Sequence, residues 1–322
     1  MRFRFTPLLA AAVLALGVSN SANAAEKLKT IASFSILADM VKNVGGERVD
    51  VSELVGSDGD THEFNPTPAD AKKLARADVF FVNGLGFEGW MERLESSSGF
   101  KGATVVATTG VKARKIDKDD DAHHEDADDD DHDEHADARH HDHGDMDPHA
   151  WQDLANGEIY VANIRDGLIA ADPDGKAVYE RNAEKYIAAV KKEDAAVKAA
   201  LASLPQSHRR IITSHDAFGY FGDAYGLEIV APEGISTASE PSAKDVAKII
   251  RQIREDQIPA VFLENITNAK MLEQIAKESG AKIGGTLYSD ALSGKDGPAP
   301  TYIDMFKHNV GTLTSALSSQ AK

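Results

Sequence analysis

Short apolar segments alternate with helical patterns along both halves of the chain, and this alternation limits the possible folds more than any other feature. Runs such as 29–34, 79–82 and 260–263 have the length of buried strands, and a segment with helical character follows each of them. Strands that alternate with helices are joined by crossover connections and form parallel sheets. The pattern therefore predicts an α/β protein.

A long helical pattern separates the two halves. Apolar residues recur at helical spacing from 172 to 205, and Pro205 marks the end of the pattern. A helix of this length can run along two lobes. We expect two Rossmann-like α/β lobes, residues 25–171 and 206–322, each with a parallel sheet and joined by a long rigid helix over 172–205.

The first 24 residues have the features of an export signal. Arg2 and Arg4 precede an almost continuously apolar stretch over 7–18, and the small residues around 22–24 form a cleavage site. About a dozen apolar residues are too few to cross a bilayer. We therefore expect a signal peptide over 1–24 and a soluble mature chain outside the cytoplasm. A retained signal anchor is the alternative.

The chain contains no cysteine. Disulfides, a lipid-bearing cysteine and thiolate metal ligands are therefore excluded, which leaves His, Asp and Glu for a metal site. A soluble exported protein without a lipid anchor is expected in a periplasm. The net charge of −17 also argues against nucleic acid and anionic membranes as partners.

One segment carries most of that charge. Residues 119–147 contain 15 Asp and Glu, a single Arg and seven of the 12 His, which gives the segment a net charge of −14 and leaves −3 for the remainder. Such a composition offers almost nothing to a packed core. We predict a disordered acidic, His-rich surface loop within the N-terminal lobe, and a loop of this length is usually either functional or dispensable.

Three histidines outside this loop have unusual contexts. His62 and His215 follow predicted strands, His149 stands where the acidic loop ends, and Asp290 follows the last predicted strand. In open α/β sheets, ligands bind beyond the carboxyl ends of the strands. Three imidazoles and one carboxylate form a tetrahedral set that suits Zn²⁺, whereas Mn²⁺ favours more oxygen. A lone histidine is more often structural, however, and the residues alone do not bring these distant positions together.

Four motifs together resemble the zinc- and manganese-binding periplasmic solute-binding proteins of metal ABC importers, known as cluster A-I. They are His-x-Phe-x-Pro-Thr-Pro-x-Asp from His62, Asp-Pro-His-x-Trp-x-Asp around His149, Ser-His-Asp-Ala-Phe-Gly-Tyr-Phe around His215 and Tyr-Ser-Asp-Ala-Leu-Ser around Asp290. The resemblance covers 26–322 and implies a metal site between the lobes, with two ligands from each. The sequence departs from the family pattern at Leu154, where a proline is common. It also lacks the cysteines that form a disulfide in some zinc members.

The resemblance also implies the cargo and the partners. Zinc members carry histidine at the third motif and often an acidic His-rich loop before the second, so Zn²⁺ is the expected metal. The implied function is a periplasmic Zn²⁺-binding component that delivers zinc to the permease of an ABC importer. The acidic loop would gather Zn²⁺ or accept it from a periplasmic metal carrier, unless it is a dispensable insertion. We expect a monomer.

Three alternatives remain open at this point. The first is a manganese or iron importer component, and the second is an adhesin or metal buffer without a transporter. The third is an extracellular zinc hydrolase with Glu63 as its general base. A four-ligand site has no open position for an activated water, so we expect no enzymatic activity. Asp153 and Asp216 are candidates either for orienting the ligand rings or for simple turn roles.

Overall fold

The structure, a computed structural model, describes residues 26–116, 146–239 and 241–318. The predicted signal peptide and nearly all of the acidic loop lie outside these residues. Across the described part of the chain, every helix is too short or too polar to span a membrane.

The N-terminal lobe contains a four-stranded parallel sheet in the order β2-β1-β3-β4. Its strands are β1 (Leu28–Phe34), β2 (Val49–Val55), β3 (Val79–Val82) and β4 (Ala103–Val106), and the helices between them are α1 (Ser35–Gly45), α2 (Pro68–Leu74) and α3 (Met91–Ser98). All four residues of β3 are buried, as the uninterrupted apolar run predicts for a strand covered on both faces.

The C-terminal lobe repeats this arrangement with the order β6-β5-β7-β8, again all parallel. Its strands are β5 (Arg210–Ile212), β6 (Glu228–Val230), β7 (Ala260–Glu264) and β8 (Lys282–Leu287). Two helices, α4 (Leu154–Ala171) and α5 (Lys176–Ala202), precede them in the chain. The helices of the C-terminal lobe are α6 (Gly219–Tyr225), α7 (Ala243–Glu255), α8 (Ala269–Ser279) and α9 (Tyr302–Ser318). The Ser242 side chain accepts from the Asp245 N–H and caps α7. The predicted fold class is therefore confirmed.

Two long helices lie between β4 and β5 in the chain, and only the second of them was predicted. No helix was predicted over α4 (Leu154–Ala171), whose N-terminus is capped by the Asp153 carboxylate. Gly157 and Gly167 weaken its helical signal, but both allow close packing: a Cβ atom on Gly157 would lie 2.7 Å from the Tyr302 hydroxyl. Tertiary packing therefore stabilises a helix whose local pattern is poor.

The long linking helix α5 runs over Lys176–Ala202, which is shorter than the predicted 172–205. It starts late because Asp172 ends α4 and pairs with Arg48 at 2.7 Å, while Pro173–Gly175 form a separate 3₁₀ turn. α5 packs against α1, α4 and α9. One apolar core therefore runs through both lobes along this helix.

Candidate metal centre

Four side chains from separate parts of the chain meet between the lobes. His62 follows β2, His215 follows β5, Asp290 follows β8, and His149 precedes α4. One ligand atom from each lies within 4.8 Å of the others. The carboxyl ends of the two parallel sheets thus face a common point, as expected for ligand sites in such folds.

The distances between these atoms match the size of a metal coordination sphere. Asp290 Oδ2 lies 3.3 Å from His62 Nε2, 3.2 Å from His215 Nε2 and 3.7 Å from His149 Nε2, and the His62 and His149 Nε2 atoms are 3.3 Å apart. Zinc bonds of about 2.0–2.1 Å in a tetrahedron place neighbouring ligand atoms about 3.3 Å apart. All four side chains are fully buried.

Two acidic residues that were not predicted from the sequence, Asp147 and Glu264, lie against the rings of His149 and His215. Asp147 Oδ1 accepts from the His149 backbone N–H at 2.9 Å and lies 2.8 Å from its ring Nδ1. Glu264 Oε1 accepts from the His215 N–H at 2.9 Å, and Oε2 lies 2.7 Å from its Nδ1. A carboxylate on Nδ1 keeps the proton there and leaves Nε2 free to bind a metal.

A third carboxylate, Asp60, holds the His62 turn through the backbone. Asp60 Oδ1 accepts from the His62 N–H at 2.8 Å. Asp60 and Asp147 therefore occupy the same place in two Asp-x-His segments, in which the aspartate side chain binds the backbone two residues later. This repeated spacing is the signal that could have identified both residues from the sequence.

In the absence of metal, the electrostatics of the site favour an ionised Asp290 beside protonated His149 and His215. Burial alone would raise the pKa of Asp290, but His215 and His149 hold it well below its usual value. Burial opposes charge on His149 as well, yet Asp290 and Asp147 raise its pKa to about 9. Glu264 and Asp290 likewise overcome burial and raise the pKa of His215. Burial lowers the pKa of His62.

Aromatic side chains fix the ligand rings against the N-terminal lobe. Phe87 packs edge-on against His62, with ring centroids 5.0 Å apart, and against His149 at 5.9 Å. Trp151 packs beside His149 at 5.3 Å, as expected for a core anchor. These contacts exclude water from one side of the site.

Trp151 also ties the ligand loops of the two lobes together. Its Nε1 donates to the Ser289 carbonyl at 2.9 Å, and Gln152 Nε2 donates to the same oxygen at 2.8 Å. Ser289 directly precedes Asp290, so two donors from the N-terminal lobe fix the position of a ligand from the C-terminal lobe. The Oδ1 atom of Asp290 is buried without a hydrogen-bond partner among the described residues, as expected of an oxygen that a bound cation would satisfy.

The other sequence candidates lie elsewhere. Asp153 accepts from the Ala155 N–H and caps α4, which is the turn role among its two candidate roles. Asp216 is not the carboxylate on the His215 ring, because Glu264 is. Glu63, the base required by a hydrolase, is exposed.

Comparisons with known proteins agree with this arrangement. The family model described as ZnuA, zinc-uptake complex component A, periplasmic, matches residues 31–316. The manganese-binding lipoprotein MntA of Halalkalibacterium halodurans is 34% identical over 293 residues, which are 91% of this chain and 89% of that protein. The iron-binding protein YfeA of Yersinia pestis is 32% identical over 309 residues, 96% and 92% of the two chains.

A solved structure shows the same fold. The periplasmic zinc binding protein TroA from Treponema pallidum superposes with a TM-score of 0.79 at 28% sequence identity, covering 90% of this chain and 99% of that one. The two-lobed architecture described above is therefore shared along nearly the whole chain.

Proposed function

This chain belongs to the zinc-uptake complex component A family, the metal-binding components of ABC importers, and we propose that it captures Zn²⁺ in the periplasm for such an importer. As a solute-binding protein of this family it acts outside the cytoplasm and is not an enzyme. The proposal adds the identity of the metal, its ligands and the delivery to a permease.

The observation that carries the proposal is the convergence of His62, His149, His215 and Asp290 on one buried point. We assign these four residues as the zinc ligands. Three imidazole nitrogens and one carboxylate oxygen are a donor set that zinc accepts readily. The first two ligands belong to the N-terminal lobe and the other two to the C-terminal lobe, so a bound ion would hold the lobes together.

Manganese is the second candidate metal, and one oxygen atom of Asp290 favours it. The relatives named above are described as binding manganese, iron or zinc, so family membership leaves the metal open. The free Oδ1 of Asp290 could supply a second oxygen, which suits the higher coordination of Mn²⁺. Three imidazoles still favour zinc, because affinity for nitrogen ligands rises from Mn²⁺ towards Zn²⁺.

A competition titration of the metal-free protein distinguishes these candidates. We expect one tight Zn²⁺ site that excess Mn²⁺ does not displace. His215→Ala should abolish this site, whereas His308→Ala is the matched control, because His308 lies on α9 and contacts the Thr286 carbonyl. Preferential binding of Mn²⁺, or tight zinc binding by His215→Ala, would refute the assignment.

The acidic loop supplies a second, independent proposal. Its seven histidines and many carboxylates would bind Zn²⁺ weakly at several points and raise the local cation concentration. We assign it the role of collecting zinc, directly or from a periplasmic metal carrier. Deletion of 119–143 keeps Asp147 and the four ligands, so the tight site should persist while the weak sites are lost. Unchanged zinc uptake and metal transfer would show that the loop is dispensable.

Delivery requires a membrane partner. An importer of this class needs a permease and an ATPase, and we propose that both lobes of a monomeric chain dock on the permease. Growth of a deletion strain under zinc limitation should be restored by the intact chain and not by His215→Ala. Light scattering of the purified protein tests the monomeric state.

A further inference from the structure

Asp60, the carboxylate at the His62 turn, makes different contacts from Asp147 and Glu264, the carboxylates beside His149 and His215. Those two carboxylates contact both the backbone and the imidazole ring of their histidine. Asp60 contacts the His62 backbone with Oδ1, while Oδ2 accepts a hydrogen bond of 2.6 Å from Thr237 Oγ1. Because Thr237 belongs to the C-terminal lobe, this carboxylate connects a ligand turn to the opposite lobe.

The segment that carries Thr237 is itself attached to another ligand. It lies between β6 and α7, and a parallel bridge joins Glu233 to His215. The Glu233 N–H donates to the Ser214 carbonyl at 3.2 Å, and the Asp216 N–H donates to the Gly234 carbonyl at 3.1 Å. The turn of His62 is therefore linked to the loop of His215 by the hydrogen bond at Thr237, the backbone over 233–237 and the two hydrogen bonds at Glu233 and Gly234.

A second contact holds the same turn on the C-terminal lobe. The Asp58 N–H donates to the Leu292 carbonyl at 2.9 Å, and Asp58 Oδ1 accepts from Asn265 Nδ2 at 3.0 Å. Asp58 has a left-handed φ of 54°, a conformation that non-glycine residues rarely adopt without tertiary support. The His62 turn is thus shaped by contacts that exist only when the lobes are together.

We propose that Thr237 is a positioning residue that slows metal release by latching the Asp60 turn to the C-terminal lobe. The inference rests on the proposed function, since it assumes that His62 binds the metal. The metal can leave only if a ligand turn withdraws, and withdrawal of the His62 turn breaks the bond between Asp60 and Thr237. A hydrogen bond to an ionised carboxylate is stronger than one between neutral groups, so its loss should appear in the dissociation rate.

The test compares Thr237→Val with Thr237→Ser and a matched control. Valine has nearly the same shape but lacks the hydroxyl, whereas serine keeps it. Thr314→Val is the control, because Thr314 is also half-buried and donates only within α9. Zinc release is measured in the full mature chain by stopped flow with excess chromophoric chelator. The Co²⁺ absorption spectrum of each variant reports the ligand set.

We expect Thr237→Val to release zinc about tenfold faster, with an unchanged association rate and an unchanged Co²⁺ spectrum. Thr237→Ser should restore slow release, and Thr314→Val should match the parent. Release from Thr237→Val at the parental rate, failure of serine to restore it, or a changed Co²⁺ spectrum would overturn the latch. Absence of a tight zinc site in the parent protein would instead refute the proposed function.

Discussion

Glu264 provides the sharpest test of how the site is built. Its Oε1 accepts from the backbone N–H groups of Ser214 and His215, and its Oε2 lies 2.7 Å from His215 Nδ1. In Glu264→Gln, one oxygen must serve the same three contacts. If the amide oxygen stays on the backbone, the NH₂ group faces Nδ1 and drives the ring proton to Nε2, the atom that should bind the metal.

The opposite orientation of the amide in Glu264→Gln also disturbs the site, because its NH₂ group would then face the backbone N–H donors of Ser214 and His215. Loss of such an outer partner typically costs 10–100-fold in metal affinity. We therefore expect Glu264→Gln to weaken Zn²⁺ binding by about 10–100-fold, equivalent to about 1.4–2.7 kcal/mol. Chelator competition at fixed pH measures the change, with the exposed Glu273→Gln on α8 as control. An affinity within twofold of the parent, in a folded variant, would show that Glu264 does not prepare His215 Nε2 for the metal.

Three further predictions follow from the same contacts. Asp290 and Asp147 outweigh burial and raise the pKa of His149 to about 9, and Glu264 and Asp290 raise the pKa of His215 as well. Zinc must therefore displace protons from both rings at neutral pH, so its affinity should keep rising to at least about pH 9, and calorimetry in buffers of different ionisation enthalpy should detect the released protons. Gly157→Ala should destabilise the protein by about 1–3 kcal/mol in urea unfolding, because the new methyl group would lie 2.7 Å from the Tyr302 hydroxyl. Removal of zinc by a chelator should lower the melting temperature, and zinc at 1,000 times its Kd should stabilise the fold by about 4 kcal/mol.

Local patterns were sufficient to predict most of the sheet. The apolar run Val79–Val82 forms a strand with the predicted bounds, and all four of its residues are buried, as an uninterrupted apolar run requires. α4 was missed because its stability comes from close packing at Gly157 and Gly167, which a periodic pattern does not reveal. The start of α5 was misplaced because the pairing of Asp172 depends on Arg48, 124 positions away.

The four proposed ligands were predicted from motifs, whereas their supporting residues were not. His149 and His215 stand in recognisable segments, and the structure brings both to one point with the other two candidates. The sequence left Asp153 with two candidate roles, a ring contact or a turn role, and the structure shows it as a helix cap. Glu264 contacts His215 across 49 positions through the adjacent strands β5 and β7, so only the sheet order reveals it.

Anomalous diffraction from zinc-loaded crystals, recorded on both sides of the zinc absorption edge, is the most direct test of the four-residue site. We expect one strong peak between the lobes, about 2.0–2.2 Å from Nε2 of His62, His149 and His215 and from a carboxylate oxygen of Asp290. A peak elsewhere in the molecule, or a zinc ion that any one of these four side chains does not contact, would contradict it.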